Sequence, residues 1–183
     1  MTSSLVTDRF MGYGRKLLVA SALLAVIGPV HAKTNSPEIQ AEMQQAAVES
    51  QNKAIVRQAF EKWRAGGNVF TELLAPDMVW TIHGSGPVAG TYRGLQDFTE
   101  KASAPLVTRL ATPITPDVQS ILADGDLVSV RFNGSATTTS GVPYRNQFVW
   151  LFRMKDGLVV EAEAFLDLAA YQQVVENNEP RAR

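Results

Sequence analysis

The stretch 144–167, YRNQFVWLFRMKDGLVVEAEAFLD, decides the fold. Aromatic side chains occupy every second position of 148–152, and glutamate alternates with alanine over 161–164. This period of two is typical of strands that bury one face. Asp156-Gly157 supplies a tight turn between the two runs, because glycine tolerates positive φ. The stretch predicts an antiparallel hairpin formed by 144–154 and 158–166.

Outward from this hairpin, the sequence predicts four more extended segments. Two of them precede it directly, joined by Asp124-Gly125. Gly134 and Gly141 interrupt these long runs, and glycines in long antiparallel strands favour curvature. The four segments are Val118–Ala123, Leu127–Thr138, the sequence MVWTIHG at 78–84, and a short piece at Thr91–Arg93.

Helical spacing replaces the period of two in the first half of the chain. A helix over Asn52–Ala65 carries an apolar stripe that includes Phe60 and Trp63, and Gly66-Gly67 ends it. Helices followed by an antiparallel meander indicate the α+β class. We expect a cone-shaped curved antiparallel sheet, backed by about three helices and enclosing an apolar pocket. The other predicted helices are a short one around 70–74, Leu95–Leu106 and Leu168–Glu176.

The N-terminus has the order of a secretory signal peptide. Arg15 and Lys16 precede the charge-free run Leu17–Val30, which is short for a membrane span. We expect residues 1–32 to be a signal peptide cleaved after Ala32, giving a periplasmic or secreted protein that no longer contacts a membrane. The alternatives are an uncleaved N-terminal anchor and a true start at Met11. The remaining predicted divisions are a linker or helical extension at 33–51, one domain at 52–177 and a disordered tail at 178–183.

Composition narrows the classes of function. The 183 residues are 45% hydrophobic, carry a formal net charge of −1 and contain no cysteine. The absence of a basic block argues against nucleic acid as a partner. No thiol can act as nucleophile or ligand, and the histidines and carboxylates show no metal-ligand spacing, so we expect no metal and no cofactor.

Two segments resemble a known family. MVWTIHGSGPVAGTYRGLQDF at 78–98, with its Gly-x-x-Pro-x-x-Gly-Thr loop, and the hairpin 144–167 resemble the SnoaL-like branch of the nuclear transport factor 2-like superfamily. That superfamily includes ketosteroid isomerases and polyketide cyclases. The resemblance covers roughly 52–175 and implies the fold, whereas the scaffold hosts both enzymes and non-catalytic binders.

The resemblance also allows active-site positions to be compared. The general base of the ketosteroid isomerases would fall at Thr81, and their second acid at Trp150. Neither residue can replace a carboxyl group, which argues against steroid isomerisation. SnoaL-type cyclases use a single late aspartate as acid–base, and Asp167, at the end of the last strand, is the nearest candidate for it here. Asp167 is therefore the acid–base residue that the resemblance implies.

Two ionisable residues are candidates for catalysis. His83 follows the first strand, next to the loop expected to rim the pocket, and can act as a general base near neutral pH. The alternative for His83 is a hydrogen-bonded surface residue. Asp167 precedes the last helix, where an N-cap role explains it without catalysis. We therefore carry His83 and Asp167 as predicted catalytic residues, with structural roles as the alternatives.

Strand alternation also predicts the pocket wall. Small alanines opposite large aromatic residues shape a site for a flat apolar ligand. Glu161 and Glu163 then face solvent or a partner subunit, since buried unpaired carboxylates are unfavourable. The predicted ligand-binding residues are Trp80, Tyr92, Asn146, Phe148, Trp150, Ala162, Ala164 and Leu166.

Two functions remain open at this point, and both use the pocket. One is an isomerase, cyclase or lyase that moves protons on an apolar carbonyl compound, using His83 and Asp167. The other is a non-catalytic binder or carrier of a small apolar molecule. A further expectation is a homodimer formed through the outer face of the sheet.

Overall fold

Six strands form one curved, unclosed sheet, in a computed structural model that describes residues 36–182. The predicted signal peptide and its cleavage site lie outside the described residues. The order of the strands is β2-β1-β6-β5-β4-β3. The strands are β1 Leu74–Ile82, β2 Gly90–Arg93, β3 Thr115–Asp124, β4 Leu127–Thr137, β5 Pro143–Lys155 and β6 Leu158–Leu166.

The pairing of β1 differs from the predicted antiparallel sheet. β3, β4, β5 and β6 form the predicted antiparallel meander, but β1 runs parallel to β6, with Trp80 beside Ala162. After β2, a helical connection carries the chain to the opposite edge of the sheet, where β3 begins. The meander then returns strand by strand to β6, which lies beside β1 and runs in the same direction. β1 also begins at Leu74, four residues before the predicted start, and its register with β6 shifts between Leu74 and Val79. The α+β class and the curved sheet are confirmed.

A long first helix, α1 Pro37–Arg64, packs on the sheet through its second half, where Val56, Ala59 and Phe60 are buried. The Ser36 hydroxyl accepts a hydrogen bond from the Ile39 amide. Pro37 occupies the first turn, where an N–H would have no partner within the helix, so its missing N–H removes no hydrogen bond. The segment predicted as a linker or helical extension is helical over 37–51 and continues without a break into the predicted helix. Gly66, at φ 99°, follows its end.

The remaining helical segments are short. They are α2 Val69–Leu73, α3 Leu95–Phe98, a π-helical turn at Thr99–Ser103, α4 Ala104–Val107 and α5 Leu168–Asn177. The α3, π-helical and α4 pieces follow one another without a gap, where one regular helix was predicted. We call these three pieces together the wall helix.

The first helix also holds the turn between β3 and β4. Glu49 accepts a hydrogen bond from the Gly125 amide at 3.0 Å, and Asn52 donates to the Gly125 carbonyl at 3.4 Å. The Gly125 amide stabilises the charged carboxylate and so lowers the pKa of Glu49. Both polar groups of one turn residue are thereby paired with α1, which fixes how the helix lies on the sheet.

The end of the chain is more ordered than predicted. Arg109 donates to the Asn178 carbonyl at 2.9 Å, Thr139 donates to the Glu179 carbonyl at 2.8 Å, and the Arg181 amide donates to the Thr108 carbonyl at 2.8 Å. The described part of the predicted disordered tail is therefore hydrogen bonded to the segment that follows the wall helix and to the connection between β4 and β5. No helix within residues 36–182 is long and apolar enough to cross a membrane.

We expect Gly134→Ala to destabilise the fold by about 1–3 kcal/mol, because the site is already filled. A Cβ at Gly134 would lie 2.8 Å from Cε2 of Phe148 and 3.1 Å from Cγ2 of Ile114. The Phe148 ring stacks on Phe132 with centroids 4.7 Å apart, so it cannot move freely. Urea denaturation measures the loss. In a Phe148→Leu background the loss should be smaller, and an equal loss in both backgrounds would contradict this explanation.

Candidate functional site

An apolar cavity of about 290 Å³ lies between the inner face of the sheet and the helices. The volume is close to the lower end of the range for small-molecule sites, which is about 300–1,000 Å³. Its strand residues are Trp80, Ile82, Phe148, Trp150, Ala164 and Leu166. Its helical residues include Trp63, Phe70, Phe98, Ser103, Leu106 and Tyr171.

The mouth of the cavity can be located from the lining residues that reach solvent. Gly67 and Asn68, between α1 and α2, are exposed on one side. Val107 and Pro113, around the end of the wall helix, are exposed on the other side. Most of the other lining residues are buried. A ligand would therefore enter between the α1–α2 connection and the end of the wall helix.

Stacked rings give the cavity flat walls. Trp63 from α1 stacks on Trp150 with an interplanar angle of 4° and centroids 5.8 Å apart. Trp80 stacks on Phe98 at 4.3 Å and meets Trp150 edge to face at 5.1 Å. Such pairs stabilise beyond the area they bury, by about 0.5–1.5 kcal/mol each. A planar apolar molecule matches walls of this shape.

Five of the predicted ligand-binding residues line the cavity. They come from three adjacent strands, because the period of two puts alternate residues of each strand on the inner face. They are Trp80, Phe148, Trp150, Ala164 and Leu166.

The other three predicted ligand-binding residues do not line it. The Tyr92 hydroxyl donates to the Val88 carbonyl at 2.7 Å. Ala162 is buried in register between Trp80 and Phe152. Both therefore support the wall from outside the cavity.

Asn146, the third of them, has a structural role. Its Nδ2 donates to the Tyr144 hydroxyl and to the Asp167 carbonyl, at 3.0 and 2.9 Å. Its Oδ1 accepts from the amides of Gln147 and Asp167, at 2.8 and 2.9 Å. All the hydrogen-bonding capacity of the amide is used, so it joins β5 to the start of α5. Burial raises the pKa of the neighbouring Tyr144 to about 12, which keeps that hydroxyl neutral.

His83 lies on the opposite face of the sheet and not at the rim of the cavity. Its Nε2 is 2.7 Å from Oε2 of Glu163, and its ring stacks on Phe165 with centroids 4.6 Å apart. The side chains of His83 and Glu163 are 39% and 53% exposed, so solvent screens the pair and it contributes little to stability. The period of two explains the position, since His83 follows Ile82, which faces the cavity. A basin of about 450 Å³ on this outer face includes Thr81, His83, Arg153, Glu161 and Glu163.

Asp167 caps the last helix, the alternative given for it above. Its Oδ1 accepts a hydrogen bond from the Ala170 amide at 3.0 Å. It is absent from the cavity lining, and the histidine pairs with Glu163 instead of with Asp167. The two predicted catalytic residues are therefore not brought together.

The position compared with the isomerase base is also on the outer face. The Thr81 hydroxyl lies 3.1 Å from that of Thr91, and Thr81 lines the outer basin. The neighbours Trp80 and Ile82 line the cavity in its place. Thr81 therefore faces away from the cavity, because successive residues of a strand point to opposite faces.

Few polar atoms border the cavity. The Tyr171 hydroxyl donates to the Ala102 carbonyl at 2.8 Å, and burial raises the pKa of this phenol. Nε1 of Trp80 is enclosed by protein atoms without a hydrogen-bond partner. None of the lining residues within 36–182 is Asp, Glu, His, Lys or Arg. In the same range, no three His, Asp or Glu residues are placed to hold a metal ion.

The helical half of the wall was missed by the sequence reasoning. Phe98, Ala102 and Leu106 recur at helical spacing along the wall helix, and this stripe is the signal that predicts one buried face. Tyr171 follows the cap of α5 and carried no comparable signal. Asn68 and Ser103 line the cavity because of how the helices pack over the sheet, which the sequence pattern does not show.

Comparisons with known proteins agree with this architecture. Bal32a, from a soil-derived mobile gene cassette, is 19% identical with a TM-score of 0.57, over 69% of this chain and 97% of that chain. An NTF2-like protein from Burkholderia thailandensis E264 is 23% identical with a TM-score of 0.53, over 68% and 94%. TerC, co-crystallized with polyporic acid, is 21% identical with a TM-score of 0.56, over 69% and 99%. At these identities the likeness shows the fold.

The sequence itself identifies the family. No curated protein matches the chain. Residues 56–162, which run from α1 to β6, match the SnoaL-like domain. Because this match spans more than half of the chain, the protein belongs to the SnoaL-like domain family.

Proposed function

We propose that the protein binds one small, flat, apolar molecule in the cavity, and that it does so without catalysis by His83 or Asp167. The observation that carries this proposal is the lining, which is built from stacked aromatic rings and contains no charged side chain among the described residues. The fold match to TerC, which was co-crystallized with polyporic acid, also supports a ligand-binding role.

Proton transfer requires a group within hydrogen-bond reach of the reacting atom. His83 is bonded to Glu163 on the other side of the sheet, and Asp167 is bonded to the first turn of α5. The phenol of Tyr171, which does line the cavity, is bonded to a backbone carbonyl and its pKa is raised. These positions favour the binding function over an isomerase, cyclase or lyase that uses the two predicted residues.

We also propose that the protein is exported. The support is the order of its N-terminus, in which Arg15 and Lys16 precede an apolar run that is followed by Val30-His31-Ala32. The ligand would then be met in the periplasm or outside the cell.

A homodimer through the outer face of the sheet is part of the same proposal. The charged side chains of this face pair within the chain: His83 with Glu163, and Arg153 with Asp126 and Glu161. The apolar residues between them are exposed, although Phe165 also stacks on the ring of His83, and burying them against a second copy is favourable. They are Leu127, Val149 and Phe165, which are 38%, 36% and 43% exposed.

Naphthalene should bind with one saturable site per chain, and Ala164→Leu should weaken this binding at least about tenfold by filling the cavity. Equilibrium dialysis with the purified protein measures both. His83→Gln and Asp167→Asn are the matched controls, and each should leave the dissociation constant within about twofold. Absence of saturable binding, or an equal loss in all three variants, would refute the proposal.

Export predicts a defined new N-terminus. Intact-mass analysis and N-terminal sequencing of protein from fractionated cells should give a chain that begins at Lys33. Replacing Leu23 and Leu24 with Arg should block processing and leave the protein in the cytoplasm. Recovery of the complete 183-residue chain from the membrane fraction would instead support the uncleaved anchor.

If the protein dimerises through the outer face, its mass in solution should depend on the apolar residue Phe165. Light scattering after size exclusion should give twice the mass of the chain, and Phe165→Lys should halve it, because a charge would be buried in the interface. Val142→Lys is the control, since Val142 is 58% exposed in the turn before β5. A monomeric wild-type protein rules the dimer out.

A further inference from the structure

Three hydroxyl side chains of the wall helix and its C-terminal cap differ in their partners. Thr99 donates to the Leu95 carbonyl at 2.8 Å, and Thr108 donates to the Ala104 carbonyl at 2.7 Å. Ser103 makes no cap hydrogen bond, and no other partner among the described residues is found for its hydroxyl. Ser103 is also the member of this set that lines the cavity.

Ser103 ends the π-helical turn of the wall helix. A serine in a helix can bond to the carbonyl four residues earlier, which here is that of Thr99, but the Ser103 hydroxyl makes no such bond. In this turn the Ala104 amide donates a hydrogen bond to the Thr99 carbonyl, five residues earlier, which is the spacing of a π-helix. The Tyr171 hydroxyl donates to the Ala102 carbonyl of the same turn at 2.8 Å. The turn is therefore fastened to α5, with Ser103 on the cavity wall.

The other polar side chains of the cavity are less suited to meet a ligand. The hydroxyl of Tyr171 is already bonded, and Nε1 of Trp80 is enclosed by protein. Asn68 lies at the exposed mouth, and its Oδ1 accepts from the Phe70 amide at 3.0 Å. The indole N–H groups of Trp63 and Trp150 remain, and they can only donate. A serine hydroxyl both donates and accepts, so it can pair with a hydroxyl or a carbonyl oxygen.

We propose that Ser103 is the specificity-determining residue of the cavity, whose hydroxyl hydrogen-bonds to an oxygen on a flat aromatic ligand. The inference rests on the proposed binding function and adds a chemical class to it: a compact aromatic compound with a hydroxyl or carbonyl group. A ligand oxygen without a partner in an apolar cavity is unfavourable, so one hydroxyl on the wall decides which aromatic molecules are accepted.

The size of the cavity sets the size of the probe. A volume of about 290 Å³, at roughly 30 Å³ per water in the liquid, holds on the order of ten non-hydrogen atoms. Two fused six-membered rings have this size. Naphthalene and 1-naphthol differ by one hydroxyl group, so the pair isolates the contribution of an oxygen at nearly constant apolar area.

The test measures the affinities of naphthalene and 1-naphthol for the wild type and for Ser103→Ala by equilibrium dialysis. We expect Ser103→Ala to weaken 1-naphthol about three- to tenfold, the range of one hydrogen bond, and to leave naphthalene within about twofold. Alanine favours helix more than serine does, so the variant should fold, and its melting temperature checks this. Thr108→Ala is the matched control, because the Thr108 hydroxyl does not line the cavity.

The possible outcomes distinguish a failure of the Ser103 assignment from a failure of the proposed binding function. If both probes bind and Ser103→Ala changes them equally or not at all, the assignment of Ser103 is wrong while the binding function stands. If Trp63→Phe instead produces the selective loss of 1-naphthol, the indole is the polar contact and Ser103 is again excluded. If neither probe binds the wild type, the proposed binding function fails, and the role of Ser103 fails with it.

Discussion

Trp150 lies in the middle of the sheet, in register with Ala164 of β6, and the rings of three other elements pack around its indole. Trp63 of α1 stacks on it, while Trp80 of β1 and Phe132 of β4 meet it edge to face at 5.1 and 4.7 Å. Protein interiors are packed as densely as organic crystals, so a side chain of this size requires small neighbours. The alternation of alanine along β6 provides them. The space that Ala164 leaves unfilled is part of the cavity.

The two faces of the sheet separate apolar packing from charge. On the inner face, aromatic rings form the cavity and the hydroxyl of Tyr171 is bonded to the backbone. On the outer face, His83, Arg153, Glu161 and Glu163 pair with one another or with Asp126 where solvent screens them. A single residue of register decides which face a side chain joins, and this explains why Thr81 and His83 lie so near the cavity in sequence and yet outside it.

Much of the fold could be predicted from periodicity alone. The hairpin of β5 and β6 and the inward residues Trp80, Phe148, Trp150, Ala164 and Leu166 follow from the period of two. The role of Asn146 could not be predicted, because its partner Asp167 is 21 residues away and sequence shows no contacts at that distance. The π-helical turn could not be predicted either, since its residues also suit a regular helix. His83 was expected at the rim because it precedes the loop, whereas its amide continues the ladder by bonding to the Ala164 carbonyl at 3.0 Å.

The parallel pairing of β1 with β6 has a consequence for the order of folding. The meander from β3 to β6 is built from neighbouring hairpins, whose loops are short to close. Trp80 and Ala162 are in register but far apart in sequence, with the wall helix and the strands β2 to β5 between them. Contacts between residues so distant in sequence slow folding, so we expect β1 to dock late. The cavity has walls from both strands and exists only after this docking, so a partly folded chain offers no site to a ligand. A ligand bound in the cavity would therefore stabilise the completed fold and none of the states that precede it.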